Sequence, residues 1–148
     1  MAQVFVSAQA QIAAEPDAVF AALSDYEQTR KDMLTENFSE YAVREGGKGE
    51  GTVVAWKLQA TKKRVRDCVF EVRTGGEREL VESDRNSSMV TKWTVRPAGE
   101  GSAVTVETTW NGAGGIGGFF EKTFAPLGMR KIYEAQLEKL SGILSSSR

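Results

Sequence analysis

The 148-residue sequence contains no histidine and only one cysteine, Cys68. The missing imidazole removes the commonest general base, the commonest zinc ligand and the usual pH switch. A Ser-His-Asp or Cys-His mechanism is therefore excluded within one chain. A single cysteine cannot form an intramolecular disulfide, and without histidine we expect no metal site.

The sequence also lacks an excess of charge of either sign and any long apolar run. Its 19 basic and 20 acidic residues leave a net charge of −1, which gives no steering towards nucleic acid or anionic lipid. No segment approaches the ~20 apolar residues that span a bilayer. Residues 1–11 show neither the basic start nor the apolar core of a signal peptide. We expect a cytoplasmic protein with no nucleic-acid partner and no insertion into a membrane.

The length and apolar content fit one domain. A chain of 148 residues with 41% hydrophobic residues can bury ~70% of the surface that its unfolded form exposes. The sequence contains no internal repeat and no interdomain linker. We therefore predict a single domain over residues 1–148, present as a monomer or a weak homodimer.

Apolar residues alternate with polar ones along most of the chain, which indicates strands. The segment 3–12 predicts one strand, and six more are predicted between Phe38 and Trp110. Short turns such as Gly46-Gly47 and Gly75-Gly76 separate the six strands. Such turns are typical of an antiparallel meander, and the one-sided alternation predicts one buried face and one solvated face.

Two short helices are predicted after the first strand. Glu15-Pro16-Asp17 is typical of a helix start, because proline fits the first turn and acidic groups favour the positive end of the helix dipole. A second short helix is predicted from Tyr26 to about Met33, capped by Ser24 and Asp25. The apolar stripe predicted for the first helix consists of Ala18, Val19, Ala22 and Leu23.

A long amphipathic helix is predicted from about Gly118 to Leu144, ~40 Å in length. Proline disrupts a helix interior, so we predict a kink or break near Ala125-Pro126. The preceding segment 112–118 has five glycines in seven residues, and it forms either a hinge that admits a ligand or an ordinary loop. It lacks the lysine and the serine or threonine of a phosphate-binding loop.

The order of strand, helix pair, six-strand meander and long final helix resembles the helix-grip fold of the START-like, or SRPBCC, superfamily. That superfamily includes Bet v 1-type and polyketide cyclase/dehydrase-like proteins, and the sequence is most similar to small actinobacterial members. Four weak motifs match in order along nearly the whole chain. They are Ala14–Phe20, Leu23–Glu27, Gly49–Thr52, and Trp93–Pro97 followed by Gly99 and Gly101.

The resemblance implies an α+β fold: a seven-stranded curved antiparallel sheet, two short helices after strand 1 and a long C-terminal helix over the concave face. It also implies a hydrophobic pocket between sheet and helix for a lipid-like, steroid-like or polyketide-like ligand, with no cofactor. Side chains predicted to point inwards are the candidate ligand contacts. They are Tyr41, Val54, Trp56, Leu58, Cys68, Phe70, Thr91, Trp93, Thr108, Trp110, Phe119, Phe120, Phe124, Leu127 and Tyr133.

The same side chains have an ordinary structural interpretation. Trp56, Phe70, Trp93 and Trp110 would then simply fill the core, and inward hydroxyls would bond to neighbouring backbone. Cys68 is better explained as a small buried hydrophobic residue than as a nucleophile, because no basic partner accompanies it. A continuous cavity of ~300 Å³ or more would favour a ligand site over a filled core.

Three functions stay open, because this fold hosts binders and enzymes alike. The first is binding, with or without transport, of a hydrophobic small molecule such as a lipid, steroid or polyketide. The alternative is a cofactor-free cyclase or dehydratase, in which Tyr41, Tyr133 or Glu82 would transfer protons in place of histidine. The third is a partner-protein module of the Hsp90-activator type. The sequence favours binding over catalysis and assigns no catalytic residue.

A basic cluster at one hairpin tip is interpreted as a solvated turn that discourages edge pairing, rather than as an RNA contact. It consists of Lys62, Lys63, Arg64 and Arg66. We expect four acidic residues to be its cross-strand neighbours. They are Glu77, Glu79, Glu82 and Asp84.

Overall fold

The computed structural model describes residues 3–61, 64–111 and 126–146. These residues form a seven-stranded antiparallel sheet, two short helices and a long C-terminal helix, so the predicted fold class is confirmed. The strands are β1 (Gln3–Ile12), β2 (Phe38–Glu45), β3 (Val53–Thr61), β4 (Arg64–Thr74), β5 (Glu79–Asp84), β6 (Val90–Ala98) and β7 (Gly101–Asn111). The helices are α1 (Pro16–Leu23), α2 (Thr29–Asp32) and α3 (Pro126–Ser146).

The strand order is β1-β7-β6-β5-β4-β3-β2, so the first strand in the chain pairs with the last. Strands β2 to β7 form the predicted meander, and β1 joins its far edge. The β6–β7 hairpin turns through Gly99, whose φ of 57° lies in the left-handed region that glycine adopts without steric cost. The register sets alternate residues of each strand on the concave face.

Helix α1 begins at Pro16, as predicted, and buries Val19 and Leu23 completely. Ala18, which was expected in the same apolar stripe, is exposed. The helix is only eight residues long, and its outward face carries Asp17, whose Oδ1 lies 2.9 Å from Nε of Arg78. The apolar stripe is therefore narrower than the sequence indicated.

Helix α2 is shorter than predicted because residues 26–28 form a turn instead of a first helical turn. Oδ1 of Asp25 accepts hydrogen bonds from the backbone N–H groups of Glu27 and Gln28, both at 3.1 Å. Such side-chain bonds compete with helix formation. Ser24, the other predicted cap, has a buried hydroxyl with no hydrogen-bond partner in the described part of the chain.

A β-bulge in β2 reorients the side chains that face β3. The register shifts between Ser39 and Ala42, and Glu40 has a φ of 52°. The extra residue lets Phe38 and Tyr41, which have opposite parity, both approach the Trp56 ring, at centroid distances of 5.8 and 6.0 Å. The bulge therefore adds Phe38 to the inward-facing set.

Helix α3 covers the concave face with one buried side. The described helix has 21 residues, about 32 Å at 1.5 Å per residue. Its buried residues are Met129, Ile132, Tyr133, Gln136, Leu137 and Leu140. None of the helices in the described ranges is both long enough and apolar enough to cross a membrane.

Several predictions fall outside the described residues. These are the glycine-rich segment 112–118, the part of the predicted long helix before Pro126, and the hairpin-tip residues Lys62 and Lys63. The predicted kink near Ala125-Pro126 lies at the border of the described part and stays a prediction.

Candidate functional site

A narrow cavity lies between the concave face of the sheet and α3. Half of its lining belongs to the predicted ligand contacts: Tyr41, Trp56, Leu58, Phe70, Thr91, Trp93 and Tyr133. The other half had not been predicted as ligand contacts: Arg30, Leu34, Phe38, Glu82, Met89, Met129 and Gln136. The cavity wall therefore draws on α2, on strands β2 to β6 and on α3.

The remaining predicted contacts do not belong to the described cavity wall. Val54, Cys68, Thr108 and Trp110 are buried in the core beside it. Burial raises the pKa of the Cys68 thiol, which keeps it protonated and unreactive at neutral pH. Phe119, Phe120 and Phe124 lie outside the described residues, as does the side chain of Leu127.

The cavity is small because aromatic rings fill much of the hollow. The space between the lining atoms totals about 460 Å³ including the part that opens to solvent, but the centre of a water-sized sphere reaches only about 30 Å³ of it. The rings of Trp56 and Phe70 stack at 5.0 Å, and Tyr41 stacks on the other side of Trp56 at 6.0 Å. The cavity volume in this conformation is therefore well below the ~300 Å³ of a typical ligand pocket.

One end of the cavity contains a buried ion pair. Nη1 of Arg30, on α2, lies 2.7 Å from Oε2 of Glu82, on β5. Arg30 is only 6% exposed and Glu82 only 2%. The Tyr26 hydroxyl donates to the same Glu82 oxygen, and Nε1 of Trp93 donates to Oε1 at 3.2 Å. Arg30 also donates to the backbone oxygen of Leu23 at 3.2 Å.

These four side chains, Tyr26, Arg30, Glu82 and Trp93, form what we call the charged cluster. The guanidinium carbon of Arg30 lies 4.6 Å from the Tyr26 ring centroid and 4.7 Å from that of Trp93, so two cation–π contacts enclose it. Burial opposes the charge of Arg30, but the combined interactions with Glu82, Tyr26 and Tyr41 outweigh it and raise the pKa of Arg30. Burial also raises the pKa of Tyr26.

A second polar group, which we call the hydroxyl cluster, joins the sheet to α3. Oγ1 of Thr91 lies 2.8 Å from Oγ1 of Thr108, which in turn lies 2.5 Å from the Tyr133 hydroxyl. The Tyr133 ring packs edge-on against Trp93 at 6.3 Å. Burial raises the pKa of Tyr133 to about 12, so this phenol is protonated at neutral pH.

Gln136 lies on the same face of α3, one turn after Tyr133. It is only 5% exposed, and its side chain lines the cavity. Among the described residues, none forms a hydrogen bond with its amide. The other buried residues of this helix are apolar or aromatic.

The prediction that Glu82 and Asp84 neighbour the basic hairpin tip is wrong. Both are buried on the inward parity of β5, together with Leu80. Asp84 accepts hydrogen bonds from the Val69 N–H at 3.0 Å and the Ser87 hydroxyl at 2.7 Å. The alternation along β5 was the available signal, because it sets residues 80, 82 and 84 on one face.

Most polar side chains of the cavity wall are hydrogen-bonded to other parts of the described chain. Both Glu82 oxygens accept hydrogen bonds, and the Tyr41 hydroxyl donates to the backbone oxygen of Tyr26 at 2.6 Å. Burial raises the pKa of Tyr41 as well. Within the described ranges, no group of three or more acidic or cysteine side chains is placed to hold a metal ion.

Solved structures similar to this chain extend over nearly its full length. The KanY protein shares 53% sequence identity, with a TM-score of 0.89 over 98% of this chain and 99% of that chain. A START superfamily protein from Mycobacterium smegmatis shares 12% identity at a TM-score of 0.69, covering 97% and 99% of the two chains. The major latex-like protein 151 of Panax ginseng shares 15% identity at a TM-score of 0.70, covering 95% and 96%.

The last two similarities show the fold alone, because identity is low. No match was found among curated proteins. A family model described as polyketide cyclase/dehydrase and lipid transport matches residues 3–143. Among the described residues, that match spans the seven strands, α1, α2, all but the last three residues of α3, and every residue of the cavity wall named above. The chain therefore belongs to the polyketide cyclase/dehydrase and lipid transport family.

Proposed function

We propose that this protein binds a hydrophobic small molecule, such as a lipid, a steroid or a polyketide, between the sheet and α3. The observation that carries the proposal is the cavity wall, which combines aromatic rings with a few buried polar groups. Ligand sites in proteins have this composition. Membership of a family whose description includes lipid transport supports the same function.

Binding requires the cavity to widen. A volume of about 30 Å³ is enough for about two water molecules by the usual minimum for one water, and a lipid or steroid is much larger. Met89 and Met129 both line the cavity, and methionine has the unbranched, adaptable side chain that repacks most readily. Burial of apolar ligand surface, at ~25 cal/mol per Å², supplies the driving force for opening, less the cost of association.

Uptake of the methyl ester of cis-parinaric acid, a neutral fluorescent polyene, tests the proposal. Trp56 and Trp93 line the cavity, so a bound polyene will quench tryptophan emission by energy transfer in a saturable manner. We expect Leu58→Phe, which fills the cavity, to weaken binding about tenfold or more. Val65→Phe is the matched control, because Val65 is 49% exposed.

Native mass spectrometry of protein purified from its own host is the complementary measurement. A small molecule retained by the wild type and lost from Leu58→Phe supports the proposal. Protein that is consistently empty and also fails to take up the parinaric ester would contradict it. Urea unfolding of both variants establishes that each is folded during the titrations.

One observation favours catalysis as a second candidate function. Tyr41, Tyr133 and Glu82, the residues considered for proton transfer, all line the cavity. The phenols have raised pKa values and act as hydrogen-bond donors at neutral pH, so Glu82 is the remaining candidate base. Incubation with a linear poly-β-ketone tests this function. Cyclised product above the protein-free background from the wild type, and none from Glu82→Gln shown by urea unfolding to be folded, would support it, whereas no turnover by the wild type would exclude this reaction.

A further inference from the structure

We infer that Gln136 anchors the bound molecule by hydrogen-bonding a neutral hydroxyl or carbonyl group within the cavity. The inference deepens the proposed function and rests on it. It makes Gln136 the residue that sets ligand specificity, and it defines the ligand class as apolar molecules with a neutral oxygen-containing group.

The side-chain amide of Gln136 has no hydrogen-bond partner among the described residues. An amide side chain has two N–H donors and an oxygen that accepts, and burying these groups without partners costs stability. Only 5% of the Gln136 surface is exposed. Its neighbours on the buried side of α3 are Tyr133, Leu137 and Leu140, so an apolar residue would satisfy packing equally well.

Gln136 differs from the rest of the cavity wall in lacking a hydrogen-bond partner. The other polar side chains that line the cavity have hydrogen-bond partners within the described part of the chain. Arg30 and Glu82 bond to each other, Thr91 and Tyr133 belong to the hydroxyl cluster, and Tyr41 donates to a backbone oxygen. Gln136 is the exception, and it lines the space that a ligand would occupy.

The buried charges around the cavity compensate each other, which indicates that the recognised group is neutral. The positive charge of Arg30 is compensated by the negative charge of Glu82 at 2.7 Å. A charged ligand group would therefore be desolvated without a free counter-charge from the described wall, which is costly. A hydroxyl or carbonyl group needs only the donor and acceptor that Gln136 provides.

Naphthalene, naphthol and naphthoate are matched probes for this inference, since they share one ring system. Isothermal titration calorimetry measures their affinities for the wild type and for Gln136→Met, which keeps side-chain length and removes the amide. We expect the wild type to bind naphthol about tenfold more tightly than naphthalene, the size of one buried hydrogen bond, and naphthoate most weakly. Gln136→Met should bind naphthol and naphthalene equally.

Two further measurements separate anchoring from a structural role. In proton–nitrogen correlation spectra, the side-chain amide signals of Gln136 should shift on addition of naphthol and much less with naphthalene. Gln136→Met should also raise the melting temperature of the ligand-free protein by about 3 °C, because an unpaired buried amide is removed. Gln9→Met, at an exposed position on β1, is the control and should change neither quantity.

The outcomes distinguish this inference from the proposed function. Equal binding of naphthol and naphthalene by the wild type, or a preference retained by Gln136→Met, would overturn the role of Gln136 and leave the cavity as a ligand site. A lower melting temperature for Gln136→Met would identify a structural role and overturn the inference. A crystal structure with naphthol in which Gln136 holds only an ordered water would do the same. Failure of the wild type to bind any probe contradicts the proposed function itself.

Discussion

Two polar regions line the same cavity and differ in how completely they are paired. In the charged cluster, Glu82 accepts hydrogen bonds on both oxygens and Arg30 donates to two acceptors between two aromatic rings. On the opposite wall, α3 presents Gln136 with no hydrogen bond from any described residue. Only 5% of Gln136 is exposed, so bulk solvent reaches little of this side chain.

The comparison separates polar groups that hold the fold from those available to a ligand. A buried network whose members are all paired is rigid, and it must lose bonds before it can contact another molecule. The charged cluster has a clear structural task, because α2 has only four residues and a helix of that length is not stable alone. Arg30 fastens α2 to β5, whereas the unpaired amide of Gln136 is free to bind.

Glu82→Leu should produce the largest effect, because it leaves the Arg30 charge buried without its partner. Loss of one member of a buried ion pair costs about 3–5 kcal/mol, and urea unfolding will measure this cost. The double variant Arg30→Met/Glu82→Leu should recover most of it, since no charge is then buried. If the single and double variants are equally unstable, the pair is not the element that fastens α2.

A surface ion pair on α3 provides the control for this prediction. Arg130 and Glu134 are 3.5 Å apart and more than half exposed. Exposed pairs of this spacing contribute less than about 0.5 kcal/mol. Glu134→Leu should therefore leave the free energy of unfolding nearly unchanged.

Removal of a single hydroxyl from each region should have an intermediate effect. Tyr26→Phe removes a hydrogen bond to the Glu82 carboxylate, and bonds to charged groups contribute about 1.5–3 kcal/mol. Tyr133→Phe removes a bond between neutral groups, which contributes about 1 kcal/mol. Chemical denaturation of both variants tests this order. Equal losses would show that the charge of Glu82 does not strengthen its hydrogen bonds.

The sequence was sufficient to predict the strands, because alternation has period two and the buried face is continuous. Trp56, Phe70 and Trp93 were placed on the cavity wall by parity alone. The position of Phe38 was not predictable in this way, because the bulge at Glu40 reverses parity within β2.

The partners of buried polar side chains were beyond pattern reading. Arg30 and Glu82 are 52 positions apart, and no local spacing indicates that they meet. Gln136 follows Tyr133 and precedes Leu137 in a helix-forming segment, and a single amide there is compatible with either a hydrogen bond to the sheet or an unpaired amide. Only the packed structure shows which of these holds.

High pH tests the hydroxyl cluster separately from the rest of the fold. The pKa of Tyr133 is about 12 in the folded protein and about 10 in an unfolded chain. Between these values the native protein keeps a proton that the unfolded chain has lost. This contribution is complete below pH 10 and is lost as pH rises towards 12.

At pH 11 the loss amounts to about 1.4 kcal/mol for this one group. Tyr133→Phe lacks the titrating phenol, so its stability should fall less steeply, while lysines and the other two tyrosines titrate alike in both proteins and cancel. The wild type should therefore be more stable by about 1 kcal/mol near neutral pH, and the two unfolding curves should cross close to pH 11. A constant difference in the free energy of unfolding from pH 7 to pH 11 would mean that the Tyr133 hydroxyl is not held in a buried, neutral environment.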